Sequence, residues 1–579
     1  MMRGQFKSKD NTRLRDKKRL ANSICVGLML SIILVSDCIA QSVDQGQRLL
    51  EERRAEQLQK RAKRQKGGLQ ITVGAIAKPG QEKPCFPIRS VDVTGATKIA
   101  ESEISKVVKE QISDCMGPKG IGALLQAISK LYIEAGYITS RALLPEQDLS
   151  TGFLQITIVE GRIGDFAMTI VRDEKKEEAA KSKVETAFPG LKGKILYLRD
   201  VEQGLDQINR LKSNTATLDI KPGEKPGESI LAITNKVEDR FRGFVETYVT
   251  HDGDTHTSQA NLSFEADDLL NINDTWYIAY SGGSSSNSMS FSASAPYGFW
   301  LYSMSGSYSE ELSQLTSSSD LFQQSTTATA QVERLMFRDA KSKLKVSGSF
   351  TYKWSKRWIN ASDLTPQKLA ISGTTVSYEH YLPGAFISVY GGLQVGLPVL
   401  GVPQDAPADT GAPQARFGKL NVGGAYYKAF ETGMTLYSSA ATIFSSDPLY
   451  STEQLTIGGS STVRGFESGQ QAGEQGIYIQ NTLTFPMHTF WGGADAFQKS
   501  VGTNADWLNK ISSYAFLDLG AVRNVANDKT YHMSGIGAGF KISTDVVSTD
   551  LYFAWPVKGL SNVETSKLEA RLRVTVKTF

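Results

Sequence analysis

From Asp239 onward the chain loses helical periodicity and begins to alternate. In Leu344-Lys345-Val346-Ser347-Gly348-Ser349-Phe350-Thr351-Tyr352-Lys353-Trp354, the Leu, Val, Gly, Phe, Tyr and Trp positions share one face, and Lys, Ser and Thr share the other. This is the pattern of a membrane barrel strand, apolar toward lipid and polar toward a wet lumen. It recurs in Trp300 to Tyr308, Phe386 to Tyr390 and Leu572 to Val576. Short alternating segments suit a barrel, which crosses a bilayer by satisfying every backbone group between neighbouring strands. Residues 240–579 number 340. They accommodate about 16 antiparallel strands at roughly 21 residues per strand and connection, since a tilted spanning strand needs only about 9 to 11. A soluble sandwich would bury these aromatics and would not need so long a stretch in one piece.

Upstream, residues 85–239 read as two small α+β units built on one plan. Ile88 to Thr94 alternates as a strand, and Ile104, Val107, Val108 and Ile112 mark one helix face. Leu124, Leu125, Ile128, Leu131, Tyr132 and Ala135 mark a second helix, followed by strands at Ile138 to Leu144 and Phe153 to Val159. The order β-α-α-β-β then repeats more loosely. A strand is expected at Ile163 to Ile170, helices at Lys181 to Phe188 and Arg199 to Leu211, and strands at Ala216 to Ile220 and Ile230 to Thr234. The units span residues 85–162 and 163–239.

The first 40 residues carry eight basic side chains, an apolar run from Ile24 to Val35 and a small-residue end at Ala40. The run is too short to span a bilayer, so the segment reads as a signal peptide cleaved before Gln41. Asp37 before Cys38 argues against a lipoprotein site. Residues 41–66 hold a charged helix whose thin apolar stripe suits a free tail or a helix lodged in a polar lumen, and residues 67–84 read as a linker. Loss of the signal leaves 56 basic and 57 acidic residues, which removes electrostatic support for nucleic-acid binding. Cys85 and Cys115 are then the remaining cysteines. In an exported protein such a pair points to a disulfide rather than a metal site or nucleophile, with two free buried thiols as the competing reading.

The stretch Ile457 to Phe466 ends in Val463-Arg464-Gly465-Phe466. An arginine inside a barrel cannot shed its charge, so it requires a carboxylate or water. Phe516-Leu517-Asp518-Leu519-Gly520, in a strand-like segment, offers Asp518. The expectation is that Arg464 pairs with Asp518 and pins its loop in the lumen.

Signal, helix, linker, two β-α-α-β-β units, barrel and paired motifs together resemble the TpsB transporters of two-partner secretion, the haemolysin and filamentous-haemagglutinin exporter family. The likeness covers nearly the whole mature chain. Leu198 to Leu211, followed by Ser213-Asn214, resembles the second POTRA module of that family. Glu453-Gln454-Leu455, Gly458-Gly459 and Val463 to Phe466 are similar to its loop that folds back into the barrel, and Phe516, Asp518 and Gly520 to the wall motif that receives the arginine. The resemblance implies an outer-membrane pore that moves an unfolded exoprotein partner from periplasm to cell surface. Residues 41–66 would be a plug helix, the barrel would meet outer-membrane lipid, and the barrel assembly machinery would insert it. A Bam-type assembly factor is the alternative, since that superfamily shares the Arg-Gly-Phe loop. A passive porin would have no need of the modules.

One departure lies at the end of the chain. Phe579 is out of phase with Leu572, Val574 and Val576, and a bulge near Lys577 would restore the phase. No nucleotide-binding loop or serine-nucleophile elbow stands out, so neither an enzyme nor a cofactor is expected. His251-Asp252-Gly253-Asp254-Thr255-His256 reads as a polar hairpin loop rather than a metal site.

Overall fold

The computed structural model describes residues 85–578 apart from 114, 253–254, 317–318, 361, 406, 408–410, 488–509 and 564–567. The signal peptide, the helix at 41–66, the linker at 67–84 and Phe579 lie outside the described residues.

The first module runs β1 (Ser90–Thr94), α1 (Glu101–Gln111), α2 (Pro118–Glu134), β2 (Arg141–Leu143) and β3 (Phe153–Val159). Its sheet has the order β1-β3-β2, with β1 parallel and β2 antiparallel to β3. The inward positions of β3, Leu154 and Ile156, meet Leu124, Ile128 and Tyr132 of α2, all fully buried. The strand expected from Ile138 is only three residues long, because Tyr137 and Ser140 close a turn after α2 instead. A disulfide joins Cys85 to Cys115, with Cα atoms 5.4 Å apart, and ties the entry to β1 onto the α1–α2 connection.

The second module comprises β4 (Arg162–Arg172), β5 (Lys175–Glu178), α3 (Lys181–Ala187), α4 (Leu198–Asn209), β6 (Asn214–Pro222) and β7 (Glu228–Val237). Its sheet order is β5-β4-β7-β6. The sequence reading lacked β5, whose Lys-Lys-Glu-Glu carries no apolar alternation. A two-residue turn at Asp173 and Glu174, both with positive φ, folds it back as a charged edge strand. Ile163, Leu196, Ile208 and Leu231 fill the core. Helix α4 packs so closely on Phe188 that a Cβ at Gly204 would lie 2.1 Å from its ring.

Sixteen antiparallel strands close the barrel among the described residues. They are β8 (Phe241–Asp252), β9 (Thr255–Asp267), β10 (Thr275–Gly283), β11 (Ser286–Tyr297), β12 (Trp300–Thr316), β13 (Ser319–Arg338), β14 (Ser342–Ile359), β15 (Ser362–Leu382), β16 (Ala385–Leu397), β17 (Gly418–Ala429) and β18 (Thr435–Phe444). After a hairpin of β19 (Leu455–Ile457) and β20 (Gln471–Gly473) come β21 (Gln475–Pro486), β22 (Ile511–Asn524), β23 (Lys529–Ser543), β24 (Val547–Pro556) and β25 (Glu569–Lys577). The ladder between β25 and β8 closes the ring.

Strands β12 to β15 are 17 to 21 residues long, well beyond what spanning requires. Their pairing continues past the apolar band, where outward Lys356 interrupts the row of Trp354 and Trp358. The ladders of β25 run from Glu569 to Lys577 with no register shift, so no bulge restores the phase up to Lys577.

The second module docks on the barrel rim through its polar surface. Lys183 of α3 and Asp268 of the β9–β10 turn form a buried ion pair, and Asn273 donates to the carbonyl of Lys183 at 2.9 Å. The amide of Gly298, in the β11–β12 turn, donates to Thr186 O at 2.8 Å, and Gln207 of α4 donates to Gly298 O at 2.8 Å. Arg338 and Lys343, at the β13–β14 turn, each reach Asp206 Oδ2 at 2.6 Å. Arg210 donates to Asn273 O at 2.6 Å and to Ser294 Oγ at 2.8 Å.

Candidate functional site: a loop seated in the barrel

The connection between β18 and β21 turns back into the lumen. Strands β19 and β20 give it a stem, and Gly458, Gly459, Gly465 and Gly469 take positive φ along its turns. Buried Glu474 braces the stem, accepting from Gln454 Nε2 at 2.6 Å and from the amide of Val525 at 2.8 Å. At the tip, Val463 and Phe466 are buried with Ile457, Val522 and Met533. That apolar cluster inside a wet barrel fixes the loop's depth.

Arg464 meets Asp518 through a two-pronged contact. Its Nε lies 2.6 Å from Oδ2 and its Nη2 2.7 Å from Oδ1, while its backbone amide donates to Oδ2 at 3.1 Å. Nη2 also donates to Thr482 Oγ1 at 3.1 Å, and the guanidinium rests 3.7 Å above the Phe516 ring. Such parallel charge-assisted bonds fix orientation as well as binding. Asp518 is fully buried. Phe516, Asp518 and Gly520 therefore face inward on β22, while Leu517 and Leu519 are exposed toward lipid.

The motif glycines serve close approach. Gly465, at φ 93°, sits against the backbone of Trp555, which only a residue without Cβ tolerates easily. A Cβ on Gly520 would come within 2.7 Å of Val463 Cγ2.

Sequence reasoning missed two partners of this site. Glu569 accepts the Gly465 amide at 2.6 Å with one oxygen and the Tyr552 hydroxyl at 2.6 Å with the other. Gly535 on β23 leaves room for Arg464 O, which would stand 1.8 Å from an added Cβ. Neither belongs to a local motif; their inward phase on β25 and β23 was the available signal. His251 and His256 pair in register across the β8–β9 ladder. Cys85 and Cys115 lie in the first module, apart from this site.

A closed barrel with two modules ahead of it, the second docked on its rim, and an extracellular loop seated in its lumen is the architecture of an outer-membrane protein transporter. Residues 227–542 match the family model described as haemolysin secretion/activation protein ShlB/FhaC/HecB, and the chain belongs to that family. Residues 86–161 match a ShlB-type POTRA domain and 168–222 another POTRA domain. The outer membrane transporter CdiB of Escherichia coli is 31% identical over 458 residues, 76% of each chain. The CdiB of Dickeya dadantii is 27% identical, covering 92% of this chain and 95% of its own. The hemolysin transporter protein ShlB of Serratia marcescens is 27% identical over 75% of this chain and 77% of its own. Among solved structures, CdiB from Escherichia coli superposes with a TM-score of 0.77 at 26% identity, covering 94% of this chain and 100% of that one. The chain is thus a TpsB-type transporter of the outer membrane, with its POTRA modules in the periplasm, and its family consists of secretion channels rather than enzymes.

Proposed function

We propose that the protein recognises an unfolded partner exoprotein through its two POTRA modules and passes it through the barrel to the cell surface. The cargo is an exoprotein of the haemolysin, adhesin or contact-dependent toxin class. The observation that carries this reading is the docking of the second module directly on the rim of a barrel whose lumen holds a latched loop. Each module's sheet ends in edge strands, β1 and β2 in one and β5 and β6 in the other. An extended peptide added to such an edge gains main-chain hydrogen bonds with little demand on its sequence. Cargo folding outside supplies direction, so no nucleotide is needed. Outer-membrane lipid surrounds the barrel, the assembly machinery inserts it, and the Arg464–Asp518 contact keeps the loop seated between transport events. Co-expression of a candidate exoprotein tests the reading. The cargo should reach the surface with this protein and stay in the periplasm without it; equal surface display in both strains would overturn the assignment.

A further inference from the structure

Eleven residues before Arg464, the same loop carries a second buried charge, Glu453. Its Oε1 lies 2.8 Å from Lys353 Nζ on β14, and its Oε2 2.6 Å from Lys419 Nζ on β17. Each ammonium also donates to loop backbone, Lys353 to Thr452 O at 3.1 Å and Lys419 to Glu453 O at 3.2 Å. Both lysine side chains are no more than a tenth exposed. Strands β15 and β16 separate β14 from β17 in the wall, so one loop carboxylate ties together two staves that do not touch in the ladder.

The polarity is the reverse of the arginine site. There the loop supplies a cation to an acidic wall residue, Asp518, while Glu569 accepts the Gly465 amide; here it supplies an anion to two wall cations. We propose that Glu453 is a second, independent lock, so that the loop leaves the lumen only when both charge sites are broken. Opening the arginine site alone leaves the loop tethered eleven residues away, at a high effective concentration for closing again. Opening the Glu453 site alone strands two buried ammonium groups without their counter-charge, which is costly. A cargo chain entering the pore would therefore have to displace two contacts on different parts of the wall. The inference rests on the reading that the loop moves during transport, but its test needs no cargo.

The test uses the full chain in isolated outer membranes, with Ile457→Cys as a buried reporter between the two locks and a membrane-impermeant maleimide as probe. Glu453→Gln and Asp518→Asn should each speed labelling by about tenfold or more, within what breaking a buried ion pair releases. Independent locks require the double variant to show the product of the two single effects. If Glu453→Gln alone does not yield a heat-modifiable barrel, the neutralised trio Glu453→Gln, Lys353→Gln and Lys419→Gln takes its place, because it leaves no stranded charge. Labelling of that trio with Asp518→Asn should again exceed labelling of Asp518→Asn alone. Equal rates would overturn the second lock while leaving the secretion assignment untouched.

Discussion

Asp206, on a periplasmic helix, shares one carboxylate oxygen between Arg338 and Lys343 of the barrel, each 2.6 Å away. This contact lets a soluble module and a membrane wall behave as one body. Burial pushes the Asp206 carboxyl up, but the Lys343 ammonium and the Arg338 guanidinium outweigh it and hold the group below the usual carboxylate range. A depressed pKa gives stability that is present above the unfolded value of about 3.9 and is lost as pH falls through the folded value. Docking should therefore be unchanged between pH 7 and pH 5 and loosen only in stronger acid. Hydrogen exchange across α4 measures this, and loosening near pH 6 would contradict it. Asp206→Asn should expose α4 to exchange and protease at neutral pH, because it takes from Lys343 its carboxylate partner and leaves Arg338 only its longer carboxylate contact, with Glu202.

The arginine site makes a graded prediction. Arg464→Lys keeps the charge but loses the fork to Asp518 and most of the stacking over Phe516, so seating should weaken by about 2 kcal/mol. Exchange rates of the Val463 to Phe466 amides report that loss. The reversed pair, Arg464→Asp with Asp518→Arg, should secrete better than either single change yet below the native level. Its shortfall has a cause, since Asp518 also accepts the backbone amide at 464, which an arginine there cannot do. A reversed pair no better than Asp518→Arg alone would remove direct pairing as what holds the loop during secretion.

Reduction of the Cys85–Cys115 bond should act on one module only. The bond closes a 30-residue separation, and its loss should cost the first module about 3 to 4 kcal/mol by the chain-entropy account. Exchange should rise across β1, α2 and β3 in reductant, while the barrel keeps its heat modifiability. Equal protection with and without reductant would show that the apolar core around Leu124 and Tyr132 suffices.

The arginine site was legible because its halves are local. Phe516, Asp518 and Gly520 stand two residues apart, so strand alternation alone turns all three inward, and Leu517 and Leu519 declare the other face. Glu569 and Gly535 were illegible for the opposite reason. Each is one inward position on its own strand, and only the pairing register, which sets Gly535 opposite Asp518, and the curl of the wall through β24 to β25 bring them beneath the loop tip. Lys353 and Lys419 fit the expected polar lumen so well that nothing marked them as partners. In the second module, the apolar face of α4 predicted its core, where Ile208 is fully buried. Its charged face, Glu202 and Asp206, reads in sequence as a solvated surface, yet it is the face that meets the barrel. Periodicity reports burial by apolar groups and is blind to burial by complementary charge.

Gly535 separates steric seating from charge. On β23 it has an ordinary strand conformation, so alanine there is backbone-compatible, but the added methyl would collide with Arg464 O at 1.8 Å. A backbone carbonyl fixed by Asp518 and Glu569 on either side cannot step aside cheaply. Gly520→Ala meets a different obstacle, a methyl of the Val463 side chain at 2.7 Å, which is less rigidly held than a hydrogen-bonded backbone carbonyl. Gly535→Ala should therefore unseat the loop more than Gly520→Ala while every charged partner remains in place. The measurement is maleimide labelling of the Ile457→Cys reporter in each background. Faster labelling with Gly535→Ala would mean that the wall must be bare backbone under Arg464 before the ion pair can form. Equal labelling in the two would mean that β23 yields to the loop and that the charges alone set its position.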